Sequence, residues 1–169
     1  MNRKESTRQL DPTLTRQHVE QLLGDEWRML ALLEDLLTRE YDLLEAGNVD
    51  AIEAASSSRQ ECISGLLRID DERRGLCRML GFEADAEGLN QLLRWCDPAN
   101  GLAAKWSACL EKAGQCQRLN QRNGALVTAR LRRVEGLLGV LTGSNRNTAV
   151  YSAQGGFTRQ SSGHTLAQA

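Results

Sequence analysis

Proline is nearly absent from this 169-residue chain, occurring only at Pro12 and Pro98, and the aromatic residues make up 4%. Val, Ile, Tyr, Phe and Thr are scarce and nowhere alternate with polar residues over a strand's length, which excludes an all-β or α/β domain. The two histidines, His18 and His164, lie far apart, so no His cluster can hold a metal or perform acid–base work. A phosphate-cradling Gly loop, a nucleophile elbow, a His-Glu-x-x-His zinc motif and an EF-hand loop are all missing. An enzyme therefore has no residues to rest on, and no cofactor or metal is expected. No apolar run approaches the roughly 18 residues of a membrane span, so membrane insertion is not expected. The polar Met1–Asp11 stretch argues against a secretory signal. Five cysteines (Cys62, Cys77, Cys96, Cys109 and Cys116) form no Cys-x-x-Cys pair, which suits reduced, buried thiols in a cytoplasmic protein.

What is present is helical and divided in charge. Residues 1–97 hold 12 Lys/Arg against 20 Asp/Glu, a net of −8. Residues 98–169 hold 9 against 2, a net of +7. Such a split fits a basic nucleic-acid-binding half, or acidic helices folding back on a basic one. The second fits better, because no aromatics interleave the basic residues, and nucleic acid is not an expected partner.

Asp11-Pro12 is a helix start, with Asp as N-cap and Pro at the first position. Val19, Leu23, Trp27, Leu30, Leu33, Leu37, Tyr41 and Leu44 then recur in steps of three or four until Gly47-Asn48. Asp50 with Glu53 reads as a capping-box variant opening a second helix, whose apolar set includes Ile52, Cys62, Ile63, Leu66, Leu67, Ile69, Leu76 and Leu80. Two long helices with a short connection must pack antiparallel. Asp85 caps a short third helix, and Asp97-Pro98 repeats the Asp-Pro start signal. The expected organisation is all-α: a flexible N-terminus (1–11), a helical bundle (12–142, with helices near 12–46, 50–80, 85–95 and 98–142) and a flexible tail (143–169). The tail is rich in Gly, Ser, Asn, Gln and Thr and cannot bury enough apolar surface to offset its ordering entropy.

The last helix carries the most regular pattern, from Leu102, Trp106, Cys109, Ala113 and Cys116 through Asn120 and Asn123 to Val127, Leu131, Val134, Leu138 and Leu141. Gly114, Gly124, Gly136 and Gly139 make it long but soft, each costing up to about 1 kcal/mol relative to Ala. Cys109 and Cys116, seven apart, read as small apolar fillers of a seam in preference to a redox pair. Trp27 and Trp106 lie on apolar stripes and read as core. Asn120 and Asn123 occupy positions reserved for apolar side chains: either they fix register, or the seam is exposed there where the bundle ends. If they fix register, Leu at both positions should raise stability. The last helix is longer than its neighbours, so its stripe has no obvious internal partner, the mark of a protein-binding surface.

The stretch Leu119-Asn120-Gln121-Arg122-Asn123-Gly124-Ala125-Leu126-Val127, then an amphipathic helix, then Tyr151 with Gly155, resembles the FlgN-type flagellar export chaperones. Upstream, Leu44–Asp50, Arg59 (where Lys is usual), Glu61, Leu66, Leu67, Arg73 and Leu80-Gly81 fit that family's second-helix pattern. The likeness runs over roughly residues 19–156; the polar N-terminus, the segment 81–97 and the tail after Phe157 depart from it. It implies a non-enzymatic cytoplasmic chaperone that holds the C-terminal helical region of flagellar hook-associated (hook–filament junction) proteins and delivers them to the type III export gate. By that resemblance, Leu119, Asn120, Asn123, Val127, Leu131, Val134, Leu138 and Leu141 would bind the client, and Tyr151 would contact the gate component. The competing readings are a basic-helix nucleic-acid-binding regulator using Arg118, Arg122, Arg130, Arg132 and Arg133, and a helical oligomerisation module without a client.

Overall fold

The computed structural model describes residues 11–142, and 89% of these lie in four helices, with no strand among them. They are α1 (Pro12–Ala46), α2 (Val49–Met79), α3 (Ala86–Cys96) and α4 (Gly101–Leu141). Of the flexible termini expected at 1–11 and 143–169, all but Asp11 lies outside the described residues. The chain divides into two units, one ending at Val127 and the other beginning at Thr128, where a single bundle to residue 142 was expected.

Local chemistry sets the boundaries. Asp11 caps α1 by accepting from the Thr13 amide at 2.8 Å, with Pro12 just inside the helix. Gly47 ends α1 in the left-handed conformation (φ 72°), its N–H closing on Leu43 and Leu44 carbonyls. Two starts differ from the sequence reading. Asn48, not Asp50, caps α2, because its side chain already reaches the Ala51 amide at 3.2 Å. The second Asp-Pro pair opens a turn instead of a helix: the Asn100 amide bonds back to the Asp97 carbonyl and Asn100 takes φ 62°. Helix α4 then begins at Gly101, and the Asp97 carboxylate still serves it by accepting from the Leu102 amide at 2.6 Å.

In the first unit α1 and α2 are antiparallel. As the α1 partner falls from Glu40 to Met29 to Glu26, the α2 partner rises from Arg59 to Cys62 to Arg73. Helix α4 instead runs parallel to α1. Cys109 Sγ donates to the Leu23 carbonyl, Cys116 Sγ to Leu30 and Asn123 Nδ2 to Leu37, each pair separated by 86 residues. The constant separation fixes both direction and register.

Two apolar clusters fill this unit. One joins all four helices through Val19, Leu22, Leu23, Leu76, Cys77, Leu80, Leu89, Leu92, Leu93, Cys96 and Leu102. The other is a three-helix core of Leu30, Leu33, Leu37, Cys62, Cys109 and Cys116. Trp106 packs against both. At 11 residues α3 is too short to be stable alone, and burial of its Leu89, Leu92 and Leu93, worth about 1.5–3 kcal/mol each, holds it. Two stripe assignments change: Trp27 and Leu67 are exposed, and Leu22 supplies core in the first turns of α1. Leu22 precedes Leu23, and a wide apolar face admits both neighbours.

Candidate protein-binding face of the last helix

Helix α4 is built on a seven-residue repeat. One heptad position holds Leu102, Cys109, Cys116 and Asn123, and continues as Arg130 and Leu137. The position four residues on holds Trp106, Ala113, Asn120, Val127, Val134 and Leu141. In the first unit small thiols at the first position let α4 approach α1 closely enough to donate to its backbone. Those thiols have no reactive character. Burial pushes all five cysteines above their ordinary range, and Cys109, with Glu26 adding to the effect, up to about 11. All five are free and buried.

Charge on α4 in this unit is matched by α1. Lys105 Nζ sits 2.5 Å from Glu20 and Lys112 Nζ 2.6 Å from Glu34, so acidic and basic helices do fold together. The Glu20 carboxyl is held below its usual range, first by the Lys105 hydrogen bond. Arg122 lies over the Tyr41 ring at 3.7 Å, a cation–π contact.

Near the end of the unit the two asparagines separate. Asn123 is 3% exposed, and its Nδ2 donates to the Leu37 carbonyl at 2.8 Å and to Glu40 Oε2 at 2.9 Å. Arg59 from α2 approaches the same carboxylate at 3.4 Å and donates to Asn120 Oδ1 at 3.2 Å. A cluster of Glu40, Arg59, Asn120 and Asn123 thus ties α1, α2 and α4 together. Sequence reasoning singled out the asparagines but missed Glu40, because Glu40 looks like any charge beside an apolar stripe. Asn123 is therefore turned inward and is not surface, which corrects its place among the client-contacting residues. Leu119 packs partly buried against the three-helix core, whereas Asn120 is exposed beside Arg59.

Elsewhere in the unit Glu26 and Arg73 form a mostly buried ion pair at 3.4 Å, with Arg73 also 4.5 Å above the Trp106 ring. The pair attracts without hydrogen-bond alignment, leaving Glu26 Oε2 and Arg73 Nη1 unsatisfied. Burial accordingly lifts the Glu26 carboxyl above its ordinary range, partly offset by Arg73. Beside them a cleft of about 250 Å³ is lined by Asp70, Arg73, Arg74, Trp106 and Leu110 among others. Asp70 is already bonded to both arginines.

From Val127 the apolar side chains of the stripe are in solvent. Val127 is 39% exposed, and in the second unit Leu131 is 58%, Val134 52%, Leu138 54% and Leu141 82% exposed. Leu137 and Val140 are also exposed. A run of this kind on one short segment is far from the scattered exposure of ordinary surfaces. Tyr151, the expected gate contact, lies outside the described residues.

A family model described as FlgN protein matches residues 15–159. The chain belongs to the FlgN family. The match covers both the buried polar cluster and the exposed stripe, and it carries the flagellar export chaperone role of the family. No curated protein and no solved structure matches the chain. Among the described residues no helix of this FlgN-family protein is long and apolar enough to cross a membrane, and no cluster of His, Cys, Asp and Glu could hold a metal ion.

Proposed function

We propose that this FlgN-family chain is a cytoplasmic, non-enzymatic chaperone that holds the C-terminal helical region of flagellar hook-associated proteins on the apolar stripe of α4 and delivers them to the export gate. The observation that carries the reading is the exposure of Val127, Leu131, Val134, Leu138 and Leu141 along one helix. A subunit's terminal helix has an apolar face without its assembly partner until export is complete. A second apolar helix shields that face by helix–helix packing, and no nucleotide is needed. Of the other expected contacts, Asn120 is exposed beside Arg59 and open to the client, whereas Leu119 and Asn123 pack within the first unit.

Calorimetry with a purified hook-associated protein tests the reading. Leu131→Asp, Val134→Asp and Leu138→Asp each place a charge where contact would strip it of water, and binding should be lost. Since all three side chains are exposed, far-UV circular dichroism should stay near that of the parent protein. Near-normal affinity in all three variants overturns the reading. Delivery is read separately: Tyr151→Ala should leave client affinity within roughly threefold while weakening association with the gate component.

A further inference from the structure

Resting on the docking face just described, we infer that the client is held by two of its amphipathic helices, one on each flank of the α4 segment beyond Val127, and not by one helix alone. The stripe of Val127, Leu131, Val134, Leu138 and Leu141 accounts for one flank only. Val140 is exposed as well, and it lies nine residues after Leu131. At 3.6 residues per turn that is about two and a half turns, so the two side chains project to opposite sides of the helix. Leu137, also exposed, falls between them. The apolar arc thus spans about half the circumference, wider than the narrow seam that a single partner helix covers.

The first unit shows what such an arc receives. There α4 packs on two helices at once: Lys105 and Lys112 meet α1 at Glu20 and Glu34, whereas Trp106 and Asn120 meet α2 at Arg73 and Arg59. Cys109 and Cys116, between these two flanks, enter the three-helix core. The same heptad positions recur in the second unit. That of Lys105 and Lys112 passes through Leu119, Leu126 and Arg133 to Val140, and that of Trp106 and Asn120 through Val127 and Val134 to Leu141. The position between them passes through Arg130, which is half-buried, to Leu137. Arg130 and Arg133 confine the apolar part of the second flank to the last turns of α4, so the second client helix crosses there. A lipid surface fits this face less well, because Glu135 stands one turn from both Leu131 and Leu138, at a margin where anionic head groups favour cations.

The test uses the full chain and the purified hook-associated protein. A benzophenone amino acid replaces Leu131, Leu138 or Val140 in turn, and the client segments it traps are read by mass spectrometry. Positions 131 and 138, on one flank, should trap the same client segment, and position 140 a second segment that does not overlap it. In calorimetry Val140→Asp should weaken binding of the whole client about tenfold or more, yet leave a synthetic peptide of its C-terminal helix within about twofold. Leu131→Asp should abolish binding of both. One client segment trapped from all three positions, or whole-client affinity unmoved by Val140→Asp, overturns the two-helix inference while the docking face stands. A crosslink from position 140 to a second copy of the chain, or sedimentation with phosphatidylserine vesicles that Val140→Asp abolishes, overturns it as well. If the parent chain binds neither client nor peptide, the docking face falls and the inference with it.

Discussion

The side-chain amide of Asn123 donates to the backbone carbonyl of Leu37 at 2.8 Å, one heptad beyond the rung on which Cys116 donates to Leu30. The three rungs are alike in their backbone acceptors, so the thiol bonds alone would accept a slip of one heptad. Asn123 differs because its amide also reaches Glu40, and Lys105 and Lys112 differ because each has one matching carboxylate. Register in this bundle is thus set by polar groups inside an apolar seam, as a buried Asn does in coiled coils.

The first prediction reverses a sequence-based one. Leu at position 123 should not stabilise the protein, because it leaves the buried Glu40 carboxylate with only the longer Arg59 contact and the Leu37 carbonyl without its side-chain donor. Asn123→Leu is expected to cost about 2–3 kcal/mol in denaturant unfolding. Adding Glu40→Leu should recover part of the loss, since it removes the under-bonded buried carboxylate while Arg59, partly exposed, keeps its bond to Asn120. A single Asn123→Leu variant more stable than the parent protein would contradict the cluster's role.

Asp97 gives a pH signature. Its carboxylate accepts from the Leu102 amide and from Arg16 Nε, and those bonds, the Leu102 one first, hold its pKa below the usual range against the opposing effect of burial. A depressed folded-state pKa contributes stability above the unfolded value, about 3.9, that is lost as pH falls through the folded value. Asp97→Asn should therefore melt lower than the parent at pH 7. The gap should narrow below about pH 4. A gap constant over this range would show that the charge of Asp97 is not what stabilises the start of α4.

Two glycines should respond in opposite directions. A Cβ at Gly88 would overlap the backbone of Glu83, which crosses the first turn of α3, so Gly88→Ala should destabilise by roughly 1–3 kcal/mol. A Cβ at Gly124 meets nothing within 4 Å. Gly124→Ala should stabilise by up to about 1 kcal/mol through helix propensity. Thermal melts of the two variants distinguish crowding from propensity directly.

The cysteines should be silent in the folded protein. With all five buried and Cys109 pushed up to about 11, a disulfide reagent at neutral to mildly alkaline pH should label the native chain only as fast as it opens. Denaturant should release all five at once. Prompt labelling of several thiols in native conditions would show that the seam between α1 and α4 is open.

Much of this protein was legible in order along the chain. Steps of three and four residues marked the helices, and Asp11-Pro12, Gly47 and Asp85 marked ends, because caps and periodicity are local and act through neighbours within a few residues. The failure at Asp50 was a choice between two nearby polar residues, decided by which side chain reached an amide, and that at Pro98 was a backbone turn closed by the Asn100 amide on Asp97 before the helix begins. The exposed stripe was legible too, since an apolar repeat longer than the neighbouring helices implies a missing partner. What no local rule could supply was the pairing of Asn123 with Glu40, or of Arg73 with Glu26 and Trp106. Those contacts join residues far apart in sequence and depend on how α1, α2 and α4 come together. Sequence alone determined helices, caps and the apolar face. Only tertiary packing decided which polar residues are buried inside that face and which end of it is left to solvent, because burial is a property of the helices that come together and not of any helix by itself.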